Sequence, residues 1–95
     1  MMGRMDIELD TEKDAINRAK HGFPLALGLI VLENRVGDIA DPREYVTEFG
    51  TEYRRLAFGM IAGRLFVCVY TMRGETYRLI SVRKANKREQ RTWLR

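Results

Sequence analysis

"YRRLAFGMIAGRLFVCVYTMRGETYRLISVRKA", residues 53–85, is the stretch whose reading sets the fold. Its side chains follow a period near two in three runs, 53–61, 64–72 and 76–85. The dipeptide Ala62-Gly63 and the tripeptide Arg73-Gly74-Glu75 punctuate them. Such runs joined by short glycine-containing turns predict an antiparallel meander of three strands. The middle run is nearly all apolar, which predicts a central strand covered on both faces. Cys68 lies inside it and reads as a small buried hydrophobe. In the third run, strict alternation sets Tyr77, Leu79, Ser81 and Arg83 on one face and Arg78, Ile80, Val82 and Lys84 on the other.

Downstream, "NKREQRTWLR" (86–95) predicts a short helix. Asn86 can cap it and Glu89 can reach back from three residues on, as in a capping box. Trp93 and Leu94 are expected to hold this helix to the sheet, with Lys87, Arg88, Arg91 and Arg95 outward.

Upstream of the meander, "MDIELD" alternates as a short strand, with order expected from about Met5 after a loose "MMGR". "DTEKDAINRAKHG" has the grammar of a helix: Asp10 or Thr11 as cap, Glu12 and Asp14 in the first turn, Arg18 and Lys20 in the last, Gly22 as the stop. Its thin apolar stripe is Ala15, Ile16 and Ala19. "PLALGLIVLEN" predicts a second helix with Pro24 at its first position, although "LGLIVL" also fits a buried strand. Gly37, Asp41-Pro42 and Gly50 mark a loop between Asn34 and Thr51.

The expected fold is therefore α+β. A short N-terminal strand, two helices, a three-stranded antiparallel meander and a C-terminal helix form one domain over residues 1–95, with the helices on one side of the sheet.

Composition narrows the function. The 95 residues are 45% apolar and 32% charged, a globular balance. One cysteine excludes an intrachain disulfide and a thiolate metal cluster. No run approaches the roughly 18 apolar residues that cross a bilayer, and "MMGRMDIELD" lacks the apolar core of a secretory signal, so a cytoplasmic protein is expected. The net charge of +4 hides an asymmetry. Residues 1–52 carry six basic and eleven acidic side chains, and residues 53–95 eleven basic and two acidic. Clustered cations attract phosphates; the competing use of Arg78 and its neighbours is ion pairing with Glu8, Asp10 or Glu12 of the acidic half.

With one His, one Cys and no metal-ligand spacing, no metal site is expected, and without a glycine-rich loop no nucleotide cofactor. A serine triad would have to join His21 to Ser81, the sole serine. His21 can serve either as a helix-terminal cation or in acid–base work. What remains is Arg and Lys interleaved with aromatics on strands.

In order along the chain, "MDIELDTEKDAINRAKHG", "EYRRLAFG", "LFVCVYTMRG" and "YRLISVRKANKREQ" resemble the BrnT family of toxins from bacterial type II toxin–antitoxin pairs. The resemblance runs from Met5 to about Arg91, and its most specific part is the Arg-x-Ile-Ser-x-Arg-Lys-Ala strand leading into a basic helix. Leu9, where the family often has Trp, and "FPLALGLIVLEN" depart from the pattern. The resemblance implies a RelE-like fold and a metal-independent endoribonuclease that halts translation, in which the RNA 2′-hydroxyl attacks the adjacent phosphate. It implies Arg54 and Arg83 on the transition-state phosphate and His21 as acid or base. Arg78 and Lys84 would hold flanking phosphates, Lys87 and Arg88 would steer RNA, and Tyr70 or Tyr77 would stack a base. A ribbon-helix-helix antitoxin (BrnA-like) would neutralise the toxin, and operator DNA would be reached only through that antitoxin. Two other readings stay open: a nucleic-acid-binding module that does not cut, and an inactive subunit that docks the antitoxin.

Overall fold

The computed structural model describes residues 5–94; the expectations of a loose start at 1–4 and of an outward Arg95 lie outside the described residues. The elements run β1 (Asp6–Leu9), α1 (Thr11–His21), α2 (Leu27–Glu33), β2 (Arg35–Thr47), β3 (Gly50–Ile61), β4 (Arg64–Arg73), β5 (Thr76–Lys84) and α3 (Lys87–Trp93). The chain is α+β, but its sheet has five strands in the order β1-β5-β4-β3-β2, where a short N-terminal strand and a three-stranded meander were expected; β2 is the addition. The sheet is mixed, because β1 lies parallel to β5 while every other pair is antiparallel.

β4 is the central strand, and it is covered on both faces. Phe66, Cys68 and Tyr70 join Leu25, Val31, Leu32, Ala57, Leu79 and Val82 beneath α2. Leu65 and Val67 join Phe58 and Ala85 on the other face, where Trp93 of α3 covers them. The Trp93 ring stacks on Phe58 with centroids 5.0 Å apart. The helices thus lie on both sides of the sheet, against the one-sided layer expected. Of the two apolar residues expected to hold α3 to the sheet, Trp93 does so and Leu94 is left exposed.

The supposed loop between Asn34 and Thr51 is mostly β2, thirteen residues long and paired with β3. Its turn-like residues sit at two register shifts, between Arg35 and Gly37 and between Ala40 and Glu44. Bulges and Pro are tolerated on an edge strand, because the missing donor faces no neighbour. Pro24 is also not a helical residue. It heads a turn in which Leu27 N–H donates to Pro24 C=O (3.2 Å) and Gly28 N–H to Leu25 C=O (2.8 Å), so α2 starts at Leu27.

A third irregularity decides which way the basic residues of β5 face. Val69 pairs with Ser81 but Tyr70 with Leu79, leaving Ile80 as the extra residue of a bulge. Alternation therefore inverts at Ile80. Leu79 and Val82 both reach the core under the helices, and Arg83, opposite Val67, falls on the α3 side. Arg78 and Arg83, assigned to opposite faces by strict alternation, share one.

α1 is capped as its sequence implies: Asp10 Oδ1 accepts from Glu12 N–H (2.8 Å) and Lys13 N–H (3.2 Å), and Gly22 closes it at φ 81°. Its contact is not the Ala15–Ile16–Ala19 stripe, which is exposed. It is Asn17, 2% exposed, whose amide acts as a short strand for β5. Asn17 Oδ1 accepts from Val82 N–H (2.9 Å), and its Nδ2 donates to Val82 C=O (3.0 Å) and Phe23 C=O (2.8 Å). Asn17→Ala would remove the side-chain partner of two buried backbone groups of Val82 and of the part-buried Phe23 carbonyl, and is expected to lower stability by about 3 kcal/mol. Urea unfolding measures this, and an unchanged midpoint would contradict it.

Candidate active site

On the α3 face of the sheet, a groove of about 570 Å³ opens between α1 and the β2–β3 hairpin. Val69, Leu56 and Ile80 supply apolar lining, and the polar lining comes from Lys13, Lys20, His21, Arg43, Tyr45, Arg54, Ser81 and Arg83, with Asn17 at the α1 side. None of these lining residues is a carboxylate. The three residues expected to be catalytic, His21, Arg54 and Arg83, come from α1, β3 and β5 and meet in this one groove.

His21 is the last residue of α1, fixed there by the Gly22 N–H bond to the Arg18 carbonyl (2.9 Å). A helix C-terminus favours a protonated imidazole. Here partial burial, followed by the nearby charges of Lys20 and Arg83, pushes the His21 pKa below its ordinary 6.5. The neutral, proton-accepting form is therefore favoured at pH 7. In linkage terms the unfolded chain binds this proton more readily, so His21 removes stability as pH falls below about 6.5. His21 is the only histidine, so its proton NMR titration reads one group. Lys20→Gln is expected to move the midpoint upward, and no movement would contradict the charge coupling.

Arg54 is held flat. Its guanidinium carbon lies 3.8 Å from the centre of the Tyr45 ring, and its Nε donates to Glu52 (2.8 Å). Tyr45 is fixed in turn by its hydroxyl, which donates to Asp41 Oδ2 (2.8 Å). Asp41, buried in the second irregularity of β2, also accepts from Arg43 N–H (3.0 Å), Nε (3.1 Å) and Nη2 (3.0 Å). The Arg43 hydrogen bonds outweigh the effect of burial and pull the Asp41 carboxyl down to about 2. Asp41 and Tyr45 were missed in the sequence because they lie where a loop was read; the signal present was Asp two residues before Arg, an Asx-type turn.

Arg83 is gripped by Glu89 of α3, Nη1 to Oε1 at 2.7 Å and Nη2 to Oε2 at 2.9 Å. Glu89 also completes the α3 capping box, accepting from Asn86 N–H (2.9 Å) while Asn86 Oδ1 accepts from Glu89 N–H (2.8 Å). Burial acts to raise the Glu89 carboxyl, but the Arg83 and Asn86 hydrogen bonds win and hold it below its usual range. One residue thus stops the helix from fraying and aims the arginine.

The other candidates lie elsewhere. Arg78, its side chain 14% exposed, donates to Glu8 (2.6 Å) and Asp10 (3.3 Å), pairing β5 with the acidic N-terminal segment. Tyr70 is buried, and its hydroxyl donates to Asp38, so it presents no face for a base. Tyr77 lies on the opposite face of the sheet, tilted against Tyr70 (5.2 Å) and beneath Arg35 (5.6 Å). Lys84 shares that face, 5.9 Å from the centre of the Phe23 ring. Lys87 and Arg88 are exposed at the start of α3, outside the groove lining. In their place the groove gathers Lys13, Lys20, Arg43 and Tyr45.

Residues 9–89 match the family described as the ribonuclease toxin BrnT of type II toxin–antitoxin systems. The chain belongs to the BrnT family. A comparison with curated proteins gives no match. The matched span contains His21, Arg54 and Arg83, together with Lys13, Lys20, Tyr45 and Glu89. A BrnT protein is the toxin half of its pair, so an antitoxin partner is implied. Among the described residues, no helix is long and apolar enough to cross a membrane.

Proposed function

We propose that this BrnT chain is a metal-independent endoribonuclease that cuts RNA in the groove between α1 and the β2–β3 hairpin, and so inhibits translation. The observation that carries the reading is the convergence of His21, Arg54 and Arg83, from three separate segments, on a groove with no carboxylate in its lining. Neutral His21 takes the proton from the 2′-hydroxyl. The freed 2′-oxygen attacks phosphorus, and the bond from phosphorus to the 5′-oxygen breaks. The leaving 5′-oxygen is protonated from the solvent to which the groove opens. The products are a 2′,3′-cyclic phosphate and a 5′-hydroxyl.

Arg54 and Arg83 serve the charge that grows on the non-bridging oxygens. Planar guanidinium forks suit that task, and here each is pre-aimed by an anchored neighbour, Tyr45 in one case and Glu89 in the other. Lys13 and Lys20 raise the local potential without being tied to the phosphate. The partner is a ribbon-helix-helix antitoxin of BrnA type that neutralises the toxin by covering this face; operator DNA is bound only through that partner. A RelE-like fold would suit the same arrangement, a sheet face with basic side chains borne on strands.

Incubation of the purified protein with single-stranded RNA in EDTA tests the reading. Fragments ending in cyclic phosphate and 5′-hydroxyl are expected. Retention of intact RNA would turn the chain into a non-catalytic nucleic-acid-binding subunit, and indifference to RNA into an antitoxin-docking one.

A further inference from the structure

The β2–β3 hairpin outgrows the sheet. Pairing of β3 with β4 begins at Arg55 and Tyr70, so Glu44–Thr47 and Gly50–Tyr53 pair only with each other and form a projecting arm. Between this arm and the ends of β4 and β5 lies a second cleft, of about 930 Å³. Lys13 and Arg54 line both this cleft and the groove of His21, so the two form one continuous surface.

Two aromatics line the second cleft without being packed away: Phe49 at the arm tip is 88% exposed and Tyr53 is 65% exposed. The tip that carries Phe49 is a built turn. Thr47 Oγ1 accepts from Phe49 N–H (3.2 Å) and donates to Gly50 C=O (2.9 Å), while Gly50 holds φ 113°, a conformation that favours glycine. The root is tied down as well, by Thr71 Oγ1 donating to Tyr53 C=O (2.8 Å). Cations outnumber acids around the cleft, with Lys13, Arg54, Arg55, Arg73 and Arg78 against Asp41, Glu48 and Glu52. The pairing runs both ways: Arg43 holds Asp41 and Arg54 holds Glu52, while Arg55 holds Asp38 and both Arg78 (2.6 Å) and the half-exposed Arg73 (3.6 Å) reach Glu8.

An exposed ring on a fixed turn, beside cations and continuous with a phosphate-binding groove, is the chemistry of a base-stacking platform. We infer that Phe49, with Tyr53 beside it, stacks a base of single-stranded RNA flanking the scissile phosphate, the backbone running past Arg73. The inference rests on the ribonuclease reading and supplies the stacking residues that Tyr70 and Tyr77 do not.

The test uses a short single-stranded RNA in two forms, one cleavable and one blocked by 2′-O-methyl groups. Phe49→Ala is expected to weaken binding of the blocked RNA by about tenfold or more, with the loss in cleavage falling on KM and not on kcat. Phe49→Trp should restore binding and Phe49→Leu should not, because leucine is apolar but has no π-face. Removing the one stacked base should weaken the wild type as much as Phe49→Ala does, with no further loss in the variant. If Phe49→Ala binds and cuts like an active wild type, the platform is wrong and the ribonuclease reading stands. If Phe49→Ala keeps RNA but loses the antitoxin, the arm serves the protein partner and the inference is overturned. If the wild type neither binds nor cuts RNA, the ribonuclease reading fails and the platform with it.

Discussion

Arg83→Ala is expected to lower the rate of RNA cleavage by about 10²- to 10³-fold, roughly 2.7–4 kcal/mol of transition-state stabilisation, the range for removing one preorganised donor. Arg83 can do this while bound to Glu89 because a guanidinium has five N–H donors. The bonds to Glu89 and to the Lys84 carbonyl take both donors of Nη1 and one of Nη2, leaving Nε–H and the second Nη2 donor for a phosphate. Arg83→Lys keeps the charge but loses the fork, so it should recover only a small part of the rate. The fold should survive, since Glu89 still accepts from Asn86 N–H; loss of the partly exposed pair is worth about 1 kcal/mol. Single-turnover cleavage, with a thermal melt as the folding control, measures both effects. A folded Arg83→Ala protein that cuts at the wild-type rate would remove Arg83 from the mechanism.

The largest stability effect is expected at Gly59. This residue of β3 pairs with Arg35 on one side and Phe66 on the other, directly beneath the last turn of α2. A Cβ there would overlap the Val31 carbonyl oxygen and come within 3.0 Å of the Asn34 carbonyl oxygen. These are backbone atoms that cannot rotate aside, so α2 would have to lift and pull the buried Val31 and Leu32 out of the core. Overpacking of this kind puts the loss for Gly59→Ala at about 3 kcal/mol, or roughly 12–24 °C in Tm for a domain of this size. Scanning calorimetry decides it, and a variant melting with the wild type would mean that α2 does not rest on β3 at this point.

What the sequence made legible was local. The period of two in residues 64–72, the Asp10 cap, the Gly22 stop and the Asn86–Glu89 box each depend on neighbours a few positions away, and each is present. What it concealed depends on distant partners. β2 looked like a loop because Gly37 and Pro42 interrupt it, yet both lie at irregularities of a strand whose other edge is free. Gly37 is small for a further non-local reason: a Cβ there would overlap the Trp93 ring from the far end of the chain. The bulge at Ile80 reversed the facing of Arg83 relative to Arg78, and strict alternation has no sign of it.

The same division runs through the site. Arg54 and Arg83 stand at positions of a family motif and His21 is the sole histidine, and the fold brings all three to one groove. Tyr70 looked available because its partner, Asp38, lies on the unrecognised strand. Lys20 reads as an ordinary last-turn helix charge and Lys13 carries no signal of its own, but Asn17 fixes α1 against β5 and both line the groove.

The most direct test of the account is inducible expression of this chain in a bacterium lacking the antitoxin, beside an Arg54→Ala/Arg83→Ala form confirmed to be folded and equally abundant. Growth arrest with fragmented RNA for the wild type, and normal growth with intact RNA for the double variant, is the predicted result. Intact RNA and unimpeded growth with ample folded wild-type protein would contradict the claim that this groove cuts RNA.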